Sequence, residues 1–492
     1  MTWSIKNTFA SVNQIPPEVL SLIPEYCYSD EELINLTHVC RNWREIFTSR
    51  ASLWTFLDCK DPEKTSVYLE RSRACPLEIR LGDQHCGPFP NDALLLIDPH
   101  LGRLKALTID GTACHLPGLI EHFSSPAPLL EKLRIRVGGS RIRLTESTLF
   151  GGNLSSLREL RLSGILTNLP WQNLSNLIVF DFRGVPDNTL SVAQLLDFFE
   201  GAPLLREIKL KDSLLDSPNA HAKRVVYLPL LRFLTITAKP TLSILLDHLR
   251  IPTGALVVLE FQFGEEVSPV PDHLPTPPNN FGNISHITSG NFYFGSGTAI
   301  RLKGPSGDLY AFGTQDGVGS ASSSLGDRTL QSFNKLCIST IERLSITGYR
   351  SIALCQSEKF STHQTLLLMN NLRALTLIDC LNLTFICALN PDHNTQNTMV
   401  CPELEYLVLY VQAKWDVYCS DQLVEMAKAR ASSGAKLSTI MLVCPREVVP
   451  AEKVFALKSH VSHVEYRLDN ESPKWDTIPG EVEETYIEDS GW

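Results

Sequence analysis

The sequence lacks any apolar stretch of about 18 residues, the length that a membrane-spanning helix needs. Its first residues, 1–7, hold no apolar run of signal-peptide length. None of the 13 cysteines stands in a C-x-x-C pair, which disfavours zinc fingers, zinc ribbons and thioredoxin-type sites. We therefore expect an intracellular protein, cytoplasmic or nuclear, with reduced thiols, no metal site and no membrane contact.

An excess of positive charge is also missing. The chain has 44 Lys and Arg residues against 54 Asp and Glu residues, a formal net charge of −10. This balance argues against bulk attraction to nucleic acid or to anionic lipid, although a local basic patch stays possible. The expected partners are therefore proteins, with no nucleic acid among them.

Catalytic motifs are absent as well. The sequence contains no G-x-x-x-x-G-K-[ST], no G-x-S-x-G and no H-E-x-x-H. The prediction is that the chain is not an enzyme and holds no cofactor. An active site assembled from residues far apart in sequence stays an alternative, because such residues can converge in space.

A short helical region is present near the start. Pro16 and Pro17 suit the first turn of a helix that contains Leu20 and Ile23. Ser29 with Glu32 three residues later forms a capping box, which predicts the start of a second helix. Apolar residues then follow at spacings of three and four, which is typical of a single helical stripe; they are Leu33, Leu36, Cys40, Trp43 and Phe47. A third short apolar element is expected at 52–57.

The sequence of this region resembles that of an F-box, in particular of the fungal type. Three blocks recur in order over residues 12–58: I-P-P-E-V-L-x-x-I, then L-x-x-L-x-x-V-C-R-N-W-R-x-I, then S-L-W. The resemblance implies docking onto the Skp adaptor of a Skp–cullin–F-box ubiquitin ligase, and through that adaptor onto a cullin. By motif position it assigns the docking and core residues to Ile15, Pro16, Pro17, Leu20, Ile23, Leu33, Leu36, Val39, Cys40, Trp43, Leu53 and Trp54.

The body of the chain repeats a six-residue pattern, apolar-x-x-apolar-x-apolar. The middle residues of its copies are Leu107, Leu133, Leu160, Phe180, Ile208, Leu234 and Leu259, followed by Leu344, Leu375, Leu407 and Ile440. The spacings are 26, 27, 20, 28, 26 and 25 residues in the first series and 31, 32 and 33 in the second. Periods of about 20 to 29 residues with this pattern are typical of leucine-rich repeats, in which each strand buries its apolar residues between neighbouring repeats.

We therefore predict an α/β fold: a small three-helix F-box followed by an irregular leucine-rich-repeat-like solenoid with a parallel concave sheet. An α/β sheet of another winding is the structural alternative. Helices are expected at 190–199 and 421–428, between strands. The predicted domains are 12–58, a linker and capping segment at 59–99, the solenoid at 100–468 and an acidic tail at 469–492.

Residues 264–335 interrupt the repeat. Prolines crowd the beginning of this segment, and glycine and serine crowd its end. Short strands separated by glycine-containing turns are expected at 284–287, 291–294, 298–302 and 309–312. The segment is therefore predicted as a β insertion inside or beside the repeat array.

The intervening residues of each strand are expected to face outward. On the second to fifth copies this outward set is rich in basic residues: Lys132, Arg134, Arg136, Arg161, Arg183, Lys209 and Lys211. They suggest a site for an acidic or phosphorylated substrate segment, because guanidinium groups bind such anions in a bidentate manner. Neighbouring Glu159, Asp181 and Glu207 are the main objection, since cross-strand pairing would leave only a solvated face.

The outward set of the late copies is apolar and aromatic instead. It consists of Ile378, Tyr406, Val408, Tyr410, Met441 and Val443. Taken together, the patterns favour a non-catalytic adaptor that recruits a protein substrate, not identified by the sequence, to a ubiquitin ligase. The alternative is a scaffold that uses its F-box outside ubiquitination.

Overall fold

A computed structural model of the chain describes most of its residues. The described residues are 15–27, 29–82, 91–139, 141–168, 171–184, 190–211, 215–216, 224–238, 242–263, 281–294, 298–315, 338–348, 356–378, 380, 382–393, 399–410, 417–443 and 449–467. The chain divides into two compact units. The N-terminal unit comprises 1–189 and 201–205, and the C-terminal unit comprises 190–200 and 206–492.

The N-terminal unit begins with short helices. These are α1 (Pro17–Leu20), a 3-10 turn (Ile23–Tyr26), α2 (Asp30–His38), α3 (Arg41–Ser49) and a second 3-10 turn (Ala51–Trp54). The predicted capping box is confirmed, because the Glu32 backbone N–H donates to Ser29 Oγ and the Ser29 N–H donates to the Glu32 carboxylate, both at 3.3 Å.

The prediction of one continuous helix along the stripe from Leu33 to Phe47 is wrong. Cys40 is extended, with φ −159° and ψ 174°, and separates α2 from α3. Arg44 Nε donates to the Thr37 carbonyl across this break at 3.0 Å. That bond satisfies a carbonyl at the end of α2, so the helix can stop there without an unpaired acceptor.

Eight strands and three more helices follow in the N-terminal unit. They are β1 (Phe56–Asp58), α4 (Pro62–Ser72), β2 (Leu77–Leu81), α5 (Asn91–Ile97), β3 (Leu104–Thr112), α6 (Leu116–Glu121), β4 (Lys132–Gly138), β5 (Ile142–Thr148), β6 (Glu159–Ser163), β7 (Ile165–Asn168) and β8 (Val179–Arg183). β1, β2, β3, β4, β6 and β8 pair in this order, and every pair is parallel. β5 and β7 form a separate parallel pair.

The repeating apolar residues form the interior of this sheet. Leu133, Leu160 and Phe180 have no exposed surface. Phe180 also stacks on Phe182 with ring centroids 5.7 Å apart, and Trp171 meets both rings edge-on. The pattern therefore marks buried positions correctly, as the pleat of a strand requires.

The chain from residue 190 onward forms the remaining elements. The helices are α7 (Val192–Gly201), α8 (Leu242–Asp247), α9 (Gln356–Leu367), α10 (Asn382–Leu389), α11 (Val417–Ser432) and α12 (Ala451–Lys458). The strands are β9 (Leu190–Ser191), β10 (Glu207–Lys211), β11 (Leu215–Asp216), β12 (Val226–Tyr227), β13 (Phe233–Ala238), β14 (Leu249–Arg250), β15 (Leu256–Phe263), β16 (Ser289–Phe294), β17 (Thr298–Gly304), β18 (Gly307–Gln315), β19 (Arg343–Thr347), β20 (Ala374–Ile378), β21 (Tyr406–Tyr410), β22 (Thr439–Val443) and β23 (His463–Arg467).

The main sheet of the C-terminal unit is largely parallel. β10, β13, β15 and β18 pair in this order, and β19 to β23 pair in sequence order, all parallel. The helices predicted at 190–199 and 421–428 are present as α7 and α11. The parallel arrangement predicted for successive repeat strands therefore holds within each unit.

The predicted β insertion lies inside this sheet. β18 pairs antiparallel with β17, β17 pairs antiparallel with β16, and β16 then pairs parallel with β19. Three of the four predicted strands are present, whereas Ile284 belongs to a 3-10 turn at Gly282–Ile284. The flanking segments 264–280 and 316–337 fall outside the described residues.

The same turn precedes repeat strands in both units. The N–H of an apolar residue donates to the carbonyl three residues earlier, as in Leu157 to Leu154, Leu231 to Leu228 and Leu372 to Met369, at 3.0–3.2 Å. Near the other end of β20, the Cys380 thiol donates to the carbonyls of Ile346 and Ile378 at 3.3 and 3.2 Å.

In the part of the chain that the structure describes, no helix has both the length and the apolarity to cross a membrane. The nine described cysteines are all free thiols. The predicted acidic tail at 469–492 lies outside the described residues.

Candidate functional site

The helices at the start of the N-terminal unit share a small apolar core. Leu20, Trp43 and Phe47 form its buried centre, and the Trp43 and Phe47 rings meet edge-on with centroids 5.5 Å apart. Partly buried residues pack around that centre; they are Ile15, Ile23, Leu36, Cys40, Ile46 and Leu53. The apolar stripe predicted from the sequence therefore packs the helices against one another.

Trp54 joins these helices to α4. Its indole N–H donates to the Phe47 carbonyl at 3.0 Å, and Tyr68 lies edge-on against it with centroids 4.9 Å apart. The Arg71 guanidinium stacks over the same indole at 4.4 Å. Because Trp54 is fully buried, it fixes the end of α3 against α4.

The twelve residues assigned by resemblance thus divide by exposure. Leu20, Leu33, Trp43 and Trp54 are buried, and the half-buried members are Ile15, Ile23, Leu36, Cys40 and Leu53. Pro16, Pro17 and Val39 are exposed. The resemblance assigns docking and core residues together, and Leu20 and Trp43 lie in the core of these helices. Which of the twelve residues contact a partner stays a prediction.

Large apolar side chains are exposed in the same helical region. They are Val19, Leu22, Tyr26 and Val39, which we refer to together as the N-terminal apolar surface, and Tyr26 is 75% exposed. Exposed apolar residues mark an interaction site when they form a contiguous patch, whereas single scattered ones are normal on any protein. Sequence reasoning missed Val19, Leu22 and Tyr26. The available signal was the spacing of three between Val19 and Leu22, on a different face from Leu20 and Ile23.

The predicted basic residues of the N-terminal unit do come together. The register places Arg134 opposite Thr108 and Arg161, and Arg161 opposite Asp181. Two residues further along β4, Arg136 lies between Asp110 of β3 and Ser163 of β6. We call these outward-facing residues of β3, β4, β6 and β8 the charged face.

Carboxylates neutralise most of the charged face. Glu159 accepts from both Arg134 Nε and Arg161 Nε, at 2.7 and 2.6 Å. Asp181 accepts two hydrogen bonds from Arg183, each at 2.7 Å. Asp110 lies 3.0 Å from Arg136. The carboxylates are more buried than the guanidinium groups, so the face consists of arginines held over acidic residues.

The carboxylates named in the objection from the sequence pair with three of the arginines, since Glu159 pairs with Arg134 and Arg161, and Asp181 pairs with Arg183. Arg136 pairs instead with Asp110, which the objection did not include. Lys132 is exposed, and no ion pair joins it to another described residue. Lys209 and Lys211 belong to the C-terminal unit, where Lys209 pairs with Glu207 at 2.8 Å. Lys211 also has an interaction partner. A binding role for these seven residues stays a prediction.

The apolar set predicted on the late strands is only partly outward. Tyr406 is exposed, and Val408, Tyr410 and Met441 are half-buried. Ile378 and Val443 are buried, so their assignment to an exposed face is wrong. Each follows an apolar residue at the end of its strand, where strict alternation ceases.

The described residues offer little support for a metal site or for a reactive thiol. No three His, Cys, Asp or Glu side chains among them are grouped so as to hold a metal ion. Burial raises the pKa of Cys59 and of Cys401 to about 12, which keeps both thiols protonated at neutral pH. Cys114 and His115 both contact Thr112 Oγ1, at 3.0 and 3.1 Å.

Comparison with known proteins identifies one part of the chain. Residues 12–60 match the family model described as F-box-like. The match covers the helical region that carries the N-terminal apolar surface, and it supports the interpretation of the chain as an F-box protein. No curated protein matches the chain.

Proposed function

We propose that this protein is the substrate-recruiting adaptor of a Skp–cullin–F-box ubiquitin ligase. The observation that carries the proposal is the coincidence of the F-box-like match over 12–60 with a closed helical unit that exposes Val19, Leu22, Tyr26 and Val39. Removal of such side chains from water on docking is favourable, roughly in proportion to the area buried.

In this role the chain positions a substrate and leaves the chemical reaction to other subunits. A substrate held beside the ligase presents its lysines at a high effective concentration, and other subunits perform ubiquitin transfer. Trp54 and its contacts with Phe47, Tyr68 and Arg71 connect the docking helices to α4 within the N-terminal unit. Such a fixed connection suits an adaptor, because a loose one would dilute the effective concentration.

For the body we propose a leucine-rich-repeat-like solenoid of the type found in fungal F-box proteins. The recurring spacing, the parallel strands and the shared turn before the strands support this interpretation. The charged face is the proposed first contact for an acidic substrate segment. Since its arginines are already paired, we expect it to steer such a segment rather than to hold it.

The test is coprecipitation of the Skp adaptor and the cullin with the full chain from cells. The double variant Val19→Asp, Leu22→Asp should lose the adaptor, because both substitutions place charges in an apolar interface. Val67→Asp is the matched control, since Val67 is an exposed valine on α4, outside the N-terminal apolar surface. It should retain binding.

Three results would decide against parts of the proposal. Retained adaptor binding by the folded double variant contradicts the docking surface. Adaptor recovered without cullin favours a scaffold outside ubiquitination. If the wild-type chain recovers neither subunit, the adaptor role is wrong and an enzyme assembled from distant residues becomes the better hypothesis.

A further inference from the structure

A groove of about 550 Å³ opens in the C-terminal unit where β10, β13 and β15 begin. The turn before β13 forms one side of it, and the turn before β15 forms another. The lining residues that matter are Arg206, Leu230, Arg232, Phe233, Thr253 and Leu256. The volume is within the range of sites that hold a small ligand or a few residues of a peptide.

Two arginines lie side by side at this groove. Arg206 and Arg232 directly precede β10 and β13, two strands that pair with each other, and the Arg232 backbone N–H donates to the Arg206 carbonyl at 2.8 Å. Neighbouring strands are about 4.8 Å apart, so the two side chains start from adjacent positions. Both are exposed, and neither makes an ion pair or side-chain hydrogen bond with the residues that the structure describes.

This arrangement differs from the charged face in one respect that matters for binding. There, Glu159 lies between two arginines and satisfies both. At the groove, two like charges are adjacent and none of the described residues that line it is a carboxylate. Such a pair of like charges is unfavourable by itself. An incoming anion would relieve the repulsion and accept hydrogen bonds from both guanidinium groups.

Apolar side chains line the same groove. Leu230 is 42% exposed and Phe233 is 40% exposed, and Leu256 is half-buried. Exposed aliphatic and aromatic groups next to free guanidinium groups do not suit an inorganic anion, which would leave them in water. They suit a ligand that joins an acidic group to an apolar one.

A second cavity on the C-terminal unit shows that the repeat position alone does not create this chemistry. Its volume is about 520 Å³, and Arg373 lines it. Arg373 directly follows the first leucine of its copy of the six-residue pattern, as Arg206 and Arg232 do in theirs. Glu342 and Glu403 line that cavity as well. Positive and negative groups are therefore mixed there, so it offers no comparable attraction for an anion.

We propose that the groove binds a peptide segment of a partner protein in which a carboxylate or phosphate lies one or two residues from a large apolar side chain. The anion lies between Arg206 and Arg232, and the apolar side chain covers Leu230 and Phe233. A nucleic acid or an anionic membrane fits less well, because the whole chain has a net charge of −10. That the peptide belongs to a recruited substrate rests on the proposed function, whereas binding itself does not.

The test is selection of a random twelve-residue peptide library on the full-length chain. Enriched peptides should carry Asp, Glu or phosphoserine within two positions of Phe, Trp, Tyr or Leu. Arg206→Gln and Arg232→Gln should each weaken their binding about tenfold, the usual contribution of a hydrogen bond between charged groups. Phe233→Ser should weaken the same peptides, and Arg373→Gln should have no effect. Circular dichroism and thermal unfolding establish that each variant is folded.

Several outcomes would overturn the inference. Enrichment of peptides without the acidic–apolar pair would do so, as would binding that is insensitive to Arg206, Arg232 and Phe233. Self-association that depends on the same residues would assign the groove to a second copy of the chain. Binding only by a chain that ends at Arg467 would assign the groove to the acidic tail. Because adaptor coprecipitation is measured separately, failure here leaves the proposed function intact, and the reverse also holds.

Discussion

The outward faces of the strands in the two units are built differently, although their interiors follow one pattern. In the N-terminal unit the middle row across β3, β4, β6 and β8 reads Thr108, Arg134, Arg161 and Asp181. In the C-terminal unit the corresponding row across β19 to β22 reads Ser345, Thr376, Val408 and Met441. The contrast shows that outward positions carry different chemistry in the two units while the interiors keep one pattern, because outward side chains do not enter the stack that holds the strands together.

The largest expected effect tests the claim that the interiors are equivalent. Leu160→Ala in the N-terminal unit and Leu375→Ala in the C-terminal unit should each lower the free energy of unfolding by about 2–5 kcal/mol. Both side chains are fully buried, so each substitution leaves a cavity. Urea unfolding of the full chain measures the loss. A loss well below this range in one unit alone would show that the two interiors are not equivalent.

An intermediate effect is expected on the charged face. Glu159→Gln removes the charge that holds Arg134 beside Arg161, and should cost about 2 kcal/mol of unfolding free energy. This value is below that of a fully buried pair, because the guanidinium groups are partly solvated. Thermal and urea unfolding are the measurements.

Glu465→Gln is the matched control for that substitution. Glu465 also pairs with an arginine two residues further along its strand, Arg467, at 2.6 Å, but this pair is more exposed. Its loss should change stability by no more than about 0.5 kcal/mol. Equal effects of the two substitutions would remove the distinction between the faces.

The smallest effect concerns steering by the charged face. The double variant Lys132→Glu, Arg136→Glu should reduce the association rate of acidic library peptides about threefold at low salt and leave adaptor binding unchanged. High salt should abolish the difference, since screening acts on exposed charges over about 8–10 Å. Arg467→Glu, an exposed reversal on β23, is the control. If the double variant associates as fast as the wild type at every salt concentration, the charged face is only a solvated surface.

Much of the interior could be predicted from the sequence because it is local and periodic. The spacing of Leu133, Leu160 and Phe180 reports burial directly, and the capping box at Ser29 marks a helix start. The break at Cys40 could not be predicted this way, because a stripe at spacings of three and four continues across it. A periodic stripe identifies a face and not the continuity of the backbone.

The candidate sites were harder to predict because they depend on register between strands. Glu159 is 25 residues from Arg134, and only the pairing of β4 with β6 brings them together. The same is true of Arg206 and Arg232, which are adjacent through the alignment of β10 with β13. The sequence offers the residue types, and small shifts of register decide whether they pair or stay free.

The antiparallel insertion has a consequence for the order in which the sheet is completed. β15 is covered on one side by β13, which precedes it in the chain, and on the other by β18, which follows much later. β16 and β17 are synthesised before β18 and yet lie beyond it in the sheet. Strands of a simple repeat array could be added one after another as the chain leaves the ribosome; here that sequence is interrupted.

The last residue of β15 is Phe263 and the last of β18 is Gln315, so 315 − 263 = 52 residues separate them. At a synthesis rate of about 5–20 residues per second, the outer edge of β15 waits roughly 3–10 s for its partner. This strand reads LVVLEFQF, and an uncovered apolar edge of that kind pairs readily with other chains. The nascent protein is therefore prone to aggregation through this edge while residues 264–315 are being made.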